Sequence, residues 1–156
     1  MVLRGHRIFK SKYAGAWFDA EGAFRYGGRW NSPGSRLLYT SCSQSLALLE
    51  ILVHLDQDRI VSAYAAATIS FSDEQLMDVT EFATLPASLN DPTVNPELKE
   101  IGDAWTRSLR SLVLKVPSVI IPAEHNFLIN AEHPDFGDLA RSESQQFLFD
   151  RRLVRP

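Results

Sequence analysis

"RLLYTSCSQSLALLEILVHLD", Arg36 to Asp56, holds two periodicities back to back. Leu37 and Tyr39 fall on one face and Leu38 and Thr40 on the other, the alternation of a short strand over Arg36–Ser41. The pattern then changes. Ser41 with Gln44 three residues later fits a capping box, and "SLALLEILVHLD" continues in good helix formers. A 3.6-residue repeat puts Ser43, Ala47, Glu50, His54 and Gln57 on one narrow face flanked by Leu46 and Val53, with Leu48, Ile51, Leu52 and Leu55 opposite. Periodicity alone favours a solvated Glu50, yet so narrow a polar face suits a helix bordering a cleft.

Working outward, "HRIFKS" (His6–Ser11) reads as a first strand with Arg7 and Phe9 on one side and Ile8 on the other. The segment from there to Gly34, rich in glycine and aromatics, reads as a structured loop. Downstream, "SAYAAATISF" (Ser62–Phe71) reads as a buried strand and "DEQLMDVT" as a short helical turn. "NPELKEIGDAWTRSL" (Asn95–Leu109) is the clearest helix: Asn95 can cap it, Pro96 suits the first position, and Glu97 complements the dipole. "SLVLKVPSVIIP" is an extended pair interrupted at Pro117, and "SQQFLFDRRL" alternates with Phe147 and Phe149 on one face. Strands and helices without regular alternation predict an α+β fold with a largely antiparallel or mixed sheet, and residues 1–156 read as a single domain.

Composition sets the outer bounds. The 156 residues are 45% hydrophobic and 22% charged, ordinary values for a globular chain. A net charge of -3 offers no cationic excess for binding phosphate backbones, so direct nucleic-acid binding is disfavoured. The single Cys42 cannot make an internal disulfide. Apolar runs such as "SLALLEILVHL" are too short and too interrupted by ionisable residues to span a membrane, and no signal-peptide pattern follows "MVLRGHRIFKSKY". A cytoplasmic protein is the expectation.

Chemistry concentrates in "YGGRWNSPG", Tyr26–Gly34. The stretch lacks the Gly-Lys-Ser/Thr of a P-loop and does not match a dinucleotide Gly-x-Gly-x-x-Gly fingerprint. What remains is a turn presenting a guanidinium, Arg29, that can grip phosphate or carboxylate, beside a tryptophan, Trp30, that can wall an aromatic ligand. His125 and His133, in "EHNFLINAEHPD", fit no familiar zinc spacing; a loop in which Asn126 and Asn130 bond backbone groups is the simpler reading. Cys42 has no sequence-adjacent histidine, and no nucleophile elbow is present.

Together "HRIF", "GGRWNSPG", "LLYTSCSQSLALLEILVHL", "VPSVIIP", "HNFLINAEHPDF" and "FLFDRRL" resemble, in order and over nearly the whole chain, the RES-domain family, named for its Arg, Glu and Ser. Members are commonly toxins of bacterial toxin–antitoxin pairs. The resemblance implies an ADP-ribosyltransferase-like split mixed β-sheet with flanking helices, whose cleft takes NAD as substrate, and no metal. It maps the family's Arg to Arg29, its Glu to Glu50 and its Ser to Ser118, with Ser142 and Ser144 as competitors. It adds Arg7, Trp30, Tyr39 and Asn130 as cofactor-binding residues. Asp150-Arg151-Arg152 departs from the family's Asp-Pro-Arg.

The activity implied is cleavage of the nicotinamide–ribose bond by hydrolysis or phosphorolysis, or ADP-ribose transfer to a host protein. Arginine-modifying transferases usually carry an acidic residue or glutamine two positions before the glutamate; here that position is Leu48, which favours hydrolysis. The implied partner is an antitoxin with a helix-turn-helix DNA-binding domain. Rival readings are a non-catalytic interaction domain, with the loop aromatics as its surface, and an RNase toxin using Arg29, Glu50 and His54.

Overall fold

The computed structural model describes residues 1–55 and 63–154. Gln57, assigned above to the polar helix face, lies outside the described residues, as do Asp56 and Ser62. The first strand, β1, runs over Val2–Lys10 and pairs along its whole length with β3 (Tyr64–Ser72), from Val2↔Ser72 to Lys10↔Tyr64. On its other side β1 meets β2 (Leu37–Ser41) at His6↔Ser41. From there β2 pairs through five positions with β6 (His125–Asn130), and β6 through five with β5 (Val113–Pro117). Parallel to β5 lies β4 (Leu76–Asp78); every other described pairing is antiparallel. The short strands β7 (Ala140–Arg141) and β8 (Gln145–Phe147) both line the outer edge of β3, giving the order β4-β5-β6-β2-β1-β3-β7. This mixed sheet, with four helices among the described residues, is an α+β fold, as the sequence predicts.

Local chemistry explains where elements differ from expectation. Helix α1 (Glu21–Tyr26) forms inside the segment read as loop; Gly22 sits within it and Ala20 occupies its cap at φ 56°, so no sequence start signal marks it. Helix α2 (Gln44–Leu52) is capped by Ser43, whose hydroxyl accepts from Leu46 N–H at 3.1 Å, and not by Ser41, which belongs to β2. "DEQLMDVT" resolves into a single turn at Asp73–Gln75, then β4, then α3 (Val79–Phe82), whose capping box is Asp78 and Glu81. Helix α4 (Asn95–Ser108) includes Asn95 instead of being capped by it; Asp91 caps the turn that leads in. After Pro117 the chain turns rather than continuing as a strand, because the Ser118 hydroxyl accepts from Ile120 N–H and Ile121 N–H, both at 3.1 Å. Asp150 likewise caps the turn Arg151–Val154 by accepting from Arg152 N–H at 2.9 Å.

The alternation in β2, β5 and β6 sends side chains to two cores. Leu38, Val113, Phe127 and Ile129 join Phe9, Trp17, Ile69 and Phe71 on one face. Leu37, Leu114, Val116 and Leu128 pack on the other against Leu98 and Trp105 of α4. A third cluster seats α2 on β1 and β3: Ala47 meets Ile8 and Tyr64, and Leu48, Ile51, Phe147 and Phe149 close over them. Phe147 and Phe149 do share a face, their rings edge to face at 5.3 Å.

Candidate active site

The site begins where the sheet comes apart. At Gly5 a Cβ would run into the Thr40 hydroxyl, so glycine lets β1 close on β2 there. One residue past the His6↔Ser41 pair, a side chain replaces the ladder: Arg7 donates from one terminal nitrogen to the Tyr39 carbonyl at 2.9 Å. Burial pushes the Arg7 guanidinium down to about 10, with the Asp19 charge opposing, so it remains a cation at neutral pH. Its Nε is buried with no hydrogen-bond partner among the described residues.

Glu50 enters this seam from α2, whose apolar residues Leu48 and Ile51 face the third cluster. Its Oε1 accepts from Asn126 Nδ2 at 2.8 Å and from the Ser118 hydroxyl at 3.1 Å. Ser118 already accepts from two backbone N–H groups, which leaves its own proton for Glu50. Ser142, by contrast, sits at the far edge beside β3, accepting from Thr68 N–H and donating to the Glu143 carbonyl. Ser118, and not Ser142, is therefore the serine brought to Glu50. The half-buried, doubly bonded Glu50 is not the solvated helix-face residue that periodicity favoured.

The glycine stretch is a tight reversal. Gly28 N–H donates to the Asn31 carbonyl at 2.9 Å, which leaves Arg29 and Trp30 as the two residues of the bend. They part company. Arg29 is exposed and lines the cleft, whereas Trp30 is 2% exposed and packs among Leu37, Leu98 and Trp105. Tyr39 holds the bend: its hydroxyl donates to Asn31 Oδ1 at 2.6 Å and accepts from Trp30 N–H at 3.1 Å. A Cβ on Gly28 would meet that hydroxyl at 2.6 Å. Asn31, fully buried, ties the bend to Ala23, Ser32 and Ser35 through its amide, and Asp103 of α4 anchors Ser32 and Ser35. Burial, with the Asp103 charge adding to it, raises the Tyr39 phenol far above its ordinary value, so it serves as a neutral hydrogen-bond hub.

These groups surround a cleft of about 820 Å³, within the size range of small-molecule sites. Arg7, Arg29, Tyr39, Glu50 and Asn126 line it, and Tyr13 (51% exposed), Tyr26 (79%), Val53 and His54 contribute to its wall. A recess of about 170 Å³ shares Arg7, Tyr39, Glu50 and Asn126 with the cleft and is completed by His6, Ile8, Thr40, Ser41, Ala47 and Ile51. Thus Arg7, Arg29, Tyr39, Glu50 and Ser118 converge.

Two expected ligand-binding residues are placed otherwise. Trp30 borders the cleft, but it is 2% exposed and its side chain packs in the core, so it has little surface to lend a ligand. Asn130 is fully buried outside the cleft, donating to the Thr106 carbonyl and accepting from Glu132 N–H, both at 3.0 Å; this is the backbone-bonding role that its residue type suggests. His133 accepts from Asp135 N–H at 3.1 Å within its own turn. Asn126 and Asn31 are the residues that sequence reasoning did not assign to the site. The sequence signal for Asn126 is a polar residue at the mouth of the apolar strand "HNFLIN", which only its pairing partner Ser41 makes legible.

Comparisons of the sequence with known proteins agree on one family. The RES domain model matches residues 4–150. A protein of Photorhabdus laumondii named Toxin Res is 35% identical over 156 residues, covering 99% of this chain and 98% of its own length. Another Toxin Res, from Yersinia enterocolitica, is 34% identical over 95% of this chain and 97% of its own. A protein of a Sphingobium strain named Prs ADP-ribosylating toxin is 35% identical over 86% of this chain and 84% of its own. With a match across nearly its whole length and relatives at this identity, the chain belongs to the RES-domain family.

Proposed function

We propose that this chain is a toxin that consumes NAD by cleaving the bond between nicotinamide and ribose. The observation that carries the reading is the convergence of Glu50, held by Ser118 and Asn126, with the cations Arg7 and Arg29 around one cleft. In that reaction the bonding pair leaves with nicotinamide, which departs neutral, and positive charge grows on the ribose carbon and ring oxygen. A carboxylate beside the ribose offsets that charge and holds its hydroxyls, the electrostatic assistance that usually supplies the largest catalytic term. Water then adds to the carbon and releases a proton, giving ADP-ribose; phosphate in its place gives the phosphorylated product.

In this scheme Arg29 meets the pyrophosphate from the cleft wall, and Arg7, which lines the same cleft, holds the seam through its bond to the Tyr39 carbonyl. Tyr39 acts through the bend that carries Arg29. Leu48, two residues before Glu50, packs against the third cluster, which favours water over an arginine side chain as acceptor. ADP-ribose transfer to a protein is the second reading, favoured by the Sphingobium relative's name. An enzyme of this kind would damage its own cell, so the scheme includes an antitoxin, with a helix-turn-helix domain, that covers the cleft. Among the described residues no helix is long and apolar enough to cross a membrane.

The test is to incubate purified protein with NAD and follow free nicotinamide. Release that collapses in Glu50→Ala supports the reading; equal release by both proteins sinks it. Release only when an acceptor protein is added, with that protein gaining the mass of ADP-ribose, moves transfer ahead.

A further inference from the structure

We propose that Asn126, aimed by Ser41, is a positioning residue for Glu50: it occupies one carboxylate oxygen, Oε1, and thereby assigns Oε2 to the ligand. The inference rests on the reading that Glu50 works on the ribose.

Three observations combine. First, the orientation of the Asn126 amide is determined by its neighbours. Glu50 as a carboxylate can only accept, so the group facing it at 2.8 Å is the Asn126 NH₂, and the carbonyl end is left to the Ser41 hydroxyl, which donates to Oδ1 at 2.8 Å. Second, Ser41 stands at the apex of the seam. It pairs with His6 of β1 on one side and with Asn126 of β6 on the other, and is 4% exposed. The brace therefore starts from the point where the two halves of the sheet are joined. Third, Asn126 and Ser118 converge on the same oxygen, at 2.8 and 3.1 Å, yet Asn126 lines both the cleft and the recess while Ser118 is 2% exposed. Ser118 secures the carboxylate from behind, and Asn126 sets its rotation at the surface that a ligand meets.

Two donors on Oε1 leave that oxygen little capacity for a ribose hydroxyl, whereas Oε2 makes no hydrogen bond within the described protein. Losing Asn126 frees the carboxylate to turn, which misplaces charge at the ribose without removing the cations that bind the dinucleotide. Such a change acts on kcat and spares KM.

The test compares Asn126→Leu, which keeps much of the volume but removes the donor without adding charge, with Asn126→Ala, Ser41→Ala and Glu50→Gln. Each Asn126 variant is expected to lower kcat for nicotinamide release roughly ten- to hundred-fold, as losing an outer hydrogen-bond partner of a functional group does, with KM within about threefold. Ser41→Ala should lower kcat by less and in the same pattern. An unchanged kcat, or a fall in kcat matched by a rise in KM, overturns the inference. In the free protein, the Asn126 side-chain NH₂ signals followed by ¹⁵N NMR should move on Glu50→Gln and on Ser41→Ala; no response to either overturns the brace even where turnover is absent. If Glu50→Gln turns over NAD like wild type, the reading of Glu50 itself fails, whatever the NMR signals do.

Discussion

The two seams that flank β2 differ in kind. Toward β6, five residue pairs from Leu37↔Asn130 to Ser41↔Asn126 form an uninterrupted ladder, with Leu38 and Ile129 fully buried. Toward β1, pairing is confined to His6↔Ser41, and beyond it Arg7 reaches across to a carbonyl. The first seam satisfies its backbone groups internally and can be lined with Leu, Ile and Phe. The second leaves room between strands, a recess lined by Arg7 and Glu50, into which Asn126 faces from the end of the closed ladder. A sheet kept whole on one side of β2 and opened on the other separates the residues that hold the fold from those that face the ligand. Substitutions on the two sides should therefore differ in what they change.

The largest effect on stability belongs to the closed seam. Ile129→Ala removes a fully buried side chain opposite Leu38 and should cost about 4 kcal/mol, read as a shift in the denaturant midpoint. Turnover per folded molecule should stay within a few-fold, because Ile129 faces the core away from Glu50; a collapse of kcat in folded protein would break the comparison. Next comes Glu50→Ala on the open seam, expected to lower nicotinamide release on the order of a hundred- to thousand-fold, about 3–4 kcal/mol in the barrier. Its melting temperature should move little, and a large drop would mean that Glu50 serves the fold first.

Tyr39→Phe sits between the two. It strips the partner from Asn31 Oδ1 and from Trp30 N–H, and should cost about 2 kcal/mol in stability. Because the bend it holds also carries Arg29, KM should rise as well; a stability loss with unchanged kinetics would uncouple the bend from the cleft. Arg29→Ala is smaller still. An exposed side chain should change stability by no more than about 0.5 kcal/mol, while KM for NAD rises roughly tenfold and Arg29→Lys recovers only part of it.

The asymmetry of these expectations follows what was legible in the chain. Leu37–Ser41 and Gln44–Leu52 could be read directly, because alternation and helical period are local properties. So could the glycine bend, since Gly-Gly before Arg-Trp-Asn leaves few alternatives. The sequence does not reveal which residue of the bend turns inward. Trp30 goes to the core because α4 presents Gly102 there, where a Cβ would collide with the Trp30 carbonyl, and that contact spans 72 positions of chain. Asn130 and Asn126 show the same limit. Both lie in "HNFLIN" with the same chemistry, and only the partner strand decides that Asn126 meets Glu50 while Asn130 bonds the end of α4. Helix α1 is not legible either, because its cap is Ala20 in a left-handed conformation, a start that no residue type announces.

A gentler way to probe the open seam is acid. His6 lies at its joining pair, whereas His125 stands on β6, paired with Pro117 of β5 and edge-on to Phe127; both imidazoles are held below the ordinary 6.5, chiefly by burial, with the nearby cations Arg4 and Lys115 adding to it. A histidine whose folded value is depressed stays neutral in the native chain at a pH where the unfolded chain has begun to protonate. The unfolded state then binds more protons, so stability falls as pH drops below 6.5 and levels off only once the folded imidazole titrates too. Thermal melts between pH 7.5 and 5 should show this decline, and His125→Gln should flatten part of it. The carboxylates bonded in the fold, such as Asp78, are held below their ordinary 3.8 and lose their contribution at lower pH, so the two effects separate along the titration. If His6→Gln flattens no more of the decline than His125→Gln, the open seam is no more acid-sensitive than the closed side of the sheet, and the contrast between them is one of geometry alone.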